Sequence, residues 1–103
     1  MRAQFVANNI ANVGVTSAQI LPARSGALKR TQLIITSTST GSIITIAKGN
    51  SPAISLQGIT LRGDILQGYI ESTDSGFTCW QGAIQAIADV AGNLSIVETF
   101  EEK

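Results

Sequence analysis

The chain has 103 residues, a formal net charge of zero and no histidine, and these features exclude many classes of function. Its length suits one domain. Without histidine, Ser/His/Asp triads, Cys/His pairs and imidazole metal sites are excluded. Only 14% of the residues are charged, well below the usual proportion of roughly a quarter. Because an uncharged polar surface is less costly to bury, the composition favours a structural or binding protein over an enzyme.

The charges are segregated along the chain. Residues 1–50 carry five basic and no acidic side chains, whereas residues 51–103 carry two basic and seven acidic ones. If the two halves form different faces, neighbouring copies attract one another head to tail. If a sandwich interleaves the halves, the asymmetry cancels. The sequence leaves both possibilities open, and no basic cluster is dense enough to predict nucleic-acid binding.

The single cysteine and the apolar runs bear on the environment of the protein. Cys79 is the only cysteine, so no disulfide can form within the chain, and its position beside Trp80 predicts a buried, unreactive thiol. No apolar run approaches the roughly 20 residues of a membrane span, and the polar N-terminus lacks the apolar core of a signal peptide. We therefore expect a soluble protein that is made in the cytoplasm and does not enter a membrane.

Residues 1–19 are predicted to form an extended N-terminal arm. Phe5, Val6 and Ile10 are apolar but fit neither helical nor strand periodicity well, and small or polar residues separate them. A segment of this kind gains order by lying on another surface, such as a neighbouring subunit. We expect the arm to contribute more to assembly than to the fold of one subunit.

Residues 20–103 are predicted to form an all-β domain, either a single β-sandwich or a jelly-roll-like barrel. Short runs rich in β-branched residues alternate there with Gly, Asn, Asp, Ser and Pro, as is typical of such folds. The predicted strands cover residues 30–37, 43–47, 53–56, 59–61, 68–73, 77–80, 83–88 and 94–100. Turns are expected at 48–52, 62–64, 74–76 and 91–93, and residues 101–103 are expected to be a frayed tail.

Two details of these strands matter later. The segment 81–91 fits both a helical stripe and strand alternation, but Gly82 and Gly92 bound too short a segment for a stable helix, so a strand is predicted. In the last strand, alternation places Leu94, Ile96 and Glu98 on one face.

No catalytic, cofactor-binding or metal-binding residue is predicted. Asp64, Glu71 and Asp74 are the acids that lie closest together, but their spacing does not match a calcium loop, and two of them flank turns. The tripeptide at 62–64 matches the integrin-binding sequence, yet a plain turn explains it. Asn93 begins a formal glycosylation acceptor, which without a secretory signal is interpreted as a turn. No glycine-rich phosphate-binding loop is present.

The aromatic residues Tyr69, Phe77 and Trp80 have two interpretations. Grouped around one hairpin, they are typical of the packed centre of a small core. Exposed in a shallow groove, they would stack on a sugar or a base. Burial of Tyr69 and Trp80 would exclude the second interpretation.

Several short motifs resemble those of a recurrent class of small virion proteins of tailed phages. In that class a basic residue precedes a hydrophobic first strand, a Gly-x-x-Leu element follows, and a Gly-x-Ile-x-Ala-Ile strand leads to a last strand ending in Glu. The matching segments are Leu21-Pro22-Ala23-Arg24, Lys29-Arg30-Thr31-Gln32-Leu33-Ile34-Ile35, Gly58-Ile59-Thr60-Leu61, Gly68-Tyr69-Ile70-Glu71, Gln81-Gly82-Ala83-Ile84-Gln85-Ala86-Ile87-Ala88 and Leu94-Ser95-Ile96-Val97-Glu98. The resemblance implies a β-sandwich or β-barrel that decorates capsids or forms the base of head fibres, often as a trimer.

A second resemblance concerns the N-terminus alone. The sequence Val6-Ala7-Asn8-Asn9-Ile10-Ala11-Asn12-Val13 is similar to a signature of flagellar rod and hook proteins. In that family the signature follows a long helix and is partnered by a C-terminal heptad helix. Here five residues precede it and a strand is predicted at the other end, so the flagellar interpretation is disfavoured.

The leading hypothesis is a non-enzymatic capsid decoration or cement protein on the virion surface. The resemblance implies a homotrimer whose N-terminal arm or basic half binds the major capsid protein, with no cofactor, nucleic acid or membrane involved. The alternative is a carbohydrate- or receptor-binding module of a phage tail or spike, with Tyr69 and Trp80 as the contact surface.

Overall fold

The computed structural model describes residues 4–24, 26–73 and 78–102, and these residues fold as two antiparallel four-stranded sheets. The strands are β1 Gln4–Val13, β2 Ala18–Leu21, β3 Leu28–Ser37, β4 Ile43–Lys48, β5 Ile59–Arg62, β6 Gly68–Ser72, β7 Ile84–Ala88 and β8 Gly92–Glu102. The first sheet has the order β1-β8-β3-β6 and the second β2-β7-β4-β5. The predicted all-β sandwich is confirmed.

The centre of the first sheet is the pair β3 and β8, which lie antiparallel along nearly their whole length. Alternate residues point into the sandwich, and Leu33, Ile35, Leu94 and Ile96 are buried there. Side chains of this type contribute about 1.5 to 3 kcal/mol each when fully buried. The predicted alternation in both strands is confirmed.

The second sheet supplies the opposite half of the core through β4 and β7. Ile44, Ile46, Ile84 and Ala86 are buried and belong to the same hydrophobic cluster as the residues of the first sheet. The segment 84–88 is a strand, as predicted, because it pairs with β2 on one side and with β4 on the other. These ladders satisfy backbone groups that a helix of five residues would leave largely unpaired.

The extended arm expected over residues 1–19 is not confirmed. Residues 4–13 form β1, whose ten residues all pair with β8, and β2 crosses the expected boundary at residue 19. The sequence conceals this strand because small residues such as Ala7 and Ala11 occupy inward positions, which in a typical strand hold large apolar side chains. The outward positions of Val6 and Ile10 do follow a period of two.

Three further predictions about elements need correction or cannot be compared. Residues 53–56 are not a strand: Gln57 N–H closes a turn onto the Ile54 carbonyl, leaving one isolated bridge. Residues 78–80 also lie outside regular strands, and 74–77 lie outside the described residues. The expected frayed tail is instead paired, since Glu101 and Glu102 continue β8 opposite β1 and β3.

The turn predicted at 62–64 is a short 3-10 helix, Gly63–Ile65. Its first residue packs tightly against the loop after β3, where Gly63 N–H donates to the Ser42 carbonyl at 3.1 Å. A Cβ atom at position 63 would lie 1.8 Å from the carbonyl oxygen of Ser39. The turn therefore requires glycine because of this close backbone approach.

Candidate interaction surface

The outer face of the first sheet is a broad surface without charge at its centre. We define the outer face as three rows that cross all four strands: Val6–Thr99–Gln32–Ser72, Asn8–Val97–Ile34–Ile70 and Ile10–Ser95–Thr36–Gly68. None of these twelve positions is charged, and the middle row holds three consecutive apolar side chains. Ile10 and Ile70 are 74% and 66% exposed. A surface of this kind is inexpensive to desolvate and is suited to contact with another protein.

One side of the sandwich is open between β1 and β2. A crevice of about 510 Å³ lies there, lined by amide and apolar side chains together with two charged residues. Its lining residues are Asn9, Ile10, Ala11, Asn12, Gln19, Ile20, Leu21, Pro22, Arg24, Ile96 and Glu98. The crevice follows from topology, since β1 and β2 are edge strands of different sheets on the same side.

A buried ion cluster lies beside the crevice. The Glu98 carboxylate accepts from Arg24 Nη2 at 2.8 Å and from Arg30 Nε at 2.9 Å. The side chains of Arg30 and Glu98 are completely buried, whereas that of Arg24 is 30% exposed. Arg24 also lies over the Phe100 ring, 5.1 Å from its centre, a geometry suited to a cation–π contact. The cluster contains two cations and one anion, and both oxygens of the Glu98 carboxylate accept hydrogen bonds.

This cluster attaches the irregular segment 78–82 to β3. Arg30 Nη1 donates to the Trp80 carbonyl at 2.6 Å, and Gln81 forms hydrogen bonds with both the N–H and the carbonyl of Arg30. Among the described residues, Arg30 Nη2 has no hydrogen-bond partner. The contacts are internal to the subunit, so the cluster has a structural role. The sequence placed Glu98 on the face of Leu94 and Ile96, but it contained no signal for its two arginine partners.

A second polar cluster surrounds Glu71 at the inner face of β6. Its carboxylate lies 2.5 Å from Lys48 Nζ and accepts hydrogen bonds from the Tyr69 hydroxyl and from Trp80 N–H. Partial burial by itself favours the neutral acid, but these donors lower the pKa of Glu71 overall. Burial likewise opposes the charged form of Lys48, and the contact with Glu71 raises its pKa overall. Burial, reinforced by the carboxylate, raises the pKa of Tyr69.

The aromatic side chains are neither exposed in a groove nor completely buried. Tyr69 and Trp80 are half-buried and pack against the core. Lys48 Nζ lies 5.3 Å from the centre of the Tyr69 ring and 5.9 Å from that of Trp80, and Trp80 Nε1 donates to the Ala83 carbonyl. Phe77 lies outside the described residues. Both rings therefore already have packing partners and a cation beside them.

The segregated charges meet inside the sandwich. Arg24, Arg30 and Lys48, from the basic half, pair with Glu98 and Glu71 from the acidic half. Arg30 meets Glu98 because β3 and β8 are neighbours in the first sheet, whereas Lys48 on β4 meets Glu71 on β6 across the two sheets. Of the two possibilities that the sequence left open, separate faces or interleaved halves, interleaving therefore applies to these charges, and it cancels the asymmetry between them.

The remaining residues considered from the sequence are Cys79, Asp64 and Asp74, which form no metal-binding site within the described part of the chain. Cys79 is buried, and burial raises the pKa of its thiol. Asp64 pairs with Arg62 at the surface, at 2.7 Å, and Asp74 lies outside the described residues. Across residues 4–24, 26–73 and 78–102, no group of three His, Cys, Asp or Glu side chains could hold a metal ion. In the same ranges, no helix has the length and apolarity needed to cross a membrane.

Comparison of the chain with protein-family models, with curated proteins and with solved structures found no match. The arguments about function therefore depend on the surface of the sandwich and on the motifs in the sequence.

Proposed function

We propose that the protein is a non-enzymatic structural subunit that docks onto a larger protein assembly through its outer face. The observation that carries the proposal is the absence of charge from three rows of side chains across four strands. Burial of such a face desolvates no ionised group, so the apolar middle row contributes favourably to binding.

The assembly proposed is the capsid of a tailed phage, with the major capsid protein as partner. Support comes from the resemblance of residues 20 to 98 to small virion proteins, which in that class decorate capsids as trimers. The β-sandwich is compatible with such a role. The docking element proposed here is the outer face rather than a free N-terminal arm, because residues 4–13 are occupied in pairing with β8.

The proposal is tested by asking whether the protein belongs to purified virions and whether the outer face attaches it. Mass spectrometry of gradient-purified phage particles from the source should detect the protein in many copies per particle. Recombinant protein should bind particles stripped of it, and Ile70→Lys should reduce that binding at least tenfold. Val90→Lys is the matched control, since Val90 is similarly exposed but lies in the bend after β7. Absence from virions, or equal binding by both variants, would refute the proposal.

The carbohydrate-binding alternative has weaker support. Its contact residues would be Tyr69 and Trp80, but Lys48 lies beside both rings and the indole N–H is already hydrogen-bonded. Stacking of a sugar needs an open ring face. Binding of the protein to a glycan, abolished by Trp80→Ala in a folded variant, would revive this alternative.

A further inference from the structure

The four edge strands of the sandwich differ in how well they are protected against pairing with another chain. Within the described residues, the edges are β1 and β6 in the first sheet and β2 and β5 in the second. An exposed edge has unpaired N–H and C=O groups, and natural proteins protect edges with short strands, charges, bulges and proline. Three of these edges carry such protection.

The protected edges are all short. Strand β2 has four residues with a register shift between Gln19 and Leu21, and Pro22 follows it. Strand β5 has four residues and ends at the exposed Arg62. Strand β6 has five residues, with Glu71 pointing inward. Each of these features discourages the addition of a further strand.

Strand β1 has none of these protections. It is ten residues long, without charge, proline, glycine or register shift against β8. At about 3.4 Å per residue it extends roughly 34 Å, most of the 43 Å length of the molecule. Its outward side chains Val6 and Ile10 are 62% and 74% exposed. This edge is suited to pairing with another strand along its full length.

We infer that β1 pairs antiparallel with β1 of a second copy of the chain, across a two-fold axis that passes beside Asn8. In this register Val6 faces Ile10 of the second copy on the outer face, and Ile10 faces its Val6. Asn8 faces Asn8 of the second copy, and two asparagine amides can donate to and accept from each other. The interface is isologous, so the same contacts occur twice.

The occupant is a second copy because β1 complements itself. Both partners are uncharged, so no like charges meet across the axis, and the only large apolar side chains on the outer side of the strand, Val6 and Ile10, lie at positions related by the two-fold axis. A one-residue shift would turn the apolar side chains of one copy to the opposite face, which disfavours neighbouring registers. The dimer joins both first sheets into one sheet of eight strands. It also places the two outer faces side by side.

The inference is tested on the full chain by the molar mass in solution at micromolar concentrations, with circular dichroism to verify folding. The wild type is expected at twice the monomer mass of 10.8 kDa. In Val6→Lys/Ile10→Lys, each lysine faces a lysine of the second copy, so the mass should fall to that of the monomer. In Val6→Lys/Ile10→Glu, each lysine faces a glutamate of the second copy, so the dimer should return. Both variants change only Val6 and Ile10, which are exposed, so the fold of the subunit should be unaffected.

The control variant Ile70→Lys adds a charge at a similarly exposed position on the far edge of the same face and should remain dimeric. A monomeric wild type, a trimer such as the resemblance to virion proteins implies, or a dimer that survives Val6→Lys/Ile10→Lys would overturn the inference. Failure of Val6→Lys/Ile10→Glu to restore the dimer would overturn the register. Docking through the outer face is measured separately, by virion binding, and it is recognised by its sensitivity to Ile70→Lys, a change that should leave the dimer intact.

Discussion

At the scale of single residues, the most consequential side chain is Glu98. Among the described residues its carboxylate is the only anion in contact with Arg30, and both side chains are completely buried. Burying two charges costs several kcal/mol per ion, which their attraction offsets only when the geometry and the surrounding hydrogen bonds are good. Here the hydrogen bonds of Arg30 to Trp80 and Gln81 supply part of that compensation.

Replacing Glu98 with glutamine should destabilise the fold by about 3 kcal/mol, because it leaves the buried Arg30 charge without a counterion. Arg24→Gln is the matched control and should cost only about 1 kcal/mol, since Arg24 is partly exposed and the Arg30–Glu98 pair remains. The double variant Arg30→Met/Glu98→Leu should recover most of the loss. Urea unfolding measures all three, and a wild-type midpoint for Glu98→Gln would contradict this account.

At the scale of elements, β1 is an integral strand and not an appendage. Its ten residues pair with β8, and Val13 at its end is buried in the core. The sequence predicts that residues 1–19 contribute more to assembly than to the fold of one subunit. The pairing with β8 instead makes residues 4–13 part of that fold.

Deletion of residues 1–13 should lower the free energy of unfolding by at least about 3 kcal/mol, through the loss of the ladder with β8 and of the buried Val13. For a small domain with about 5 to 15 kcal/mol in total, that loss is large. A variant lacking only residues 1–3 keeps every β1 pair and serves as control. Circular dichroism during urea unfolding gives both midpoints, and equal midpoints would show that β1 is dispensable.

At the scale of the whole molecule, the Lys48–Glu71 pair links global stability to pH. The pKa of Glu71 is lowered in the fold, so its contribution is present above the ordinary value of about 4.3 and is lost as the pH falls through the folded value. The pKa of Lys48 is raised, so its contribution is present below about 10.4 and is lost as the pH rises through the folded value.

The urea midpoint should therefore decrease as the pH is lowered below about 4, and should decrease again as the pH is raised above about 10.5. In Lys48→Met both declines should be shallower, by no more than about 1 kcal/mol because the lysine is partly exposed. Arg62→Met, which removes a fully surface ion pair with Asp64, is the control and should follow the wild-type curve. Identical pH profiles for Lys48→Met and the wild type would contradict the prediction.

The fold class and most strands can be predicted from the sequence, because alternation in β3, β6 and β8 and the turn residues between strands are local signals. The inward orientation of Glu98 also followed from that alternation. The place of β1 in the first sheet is visible only in the folded chain, since alanines at its inward positions conceal the period and its partner residues on β8 are 79 to 97 positions away. The same is true of the ion clusters. Arg24 and Glu98 are 74 positions apart, and their contact exists because the packing of two sheets brings the two halves of the chain together.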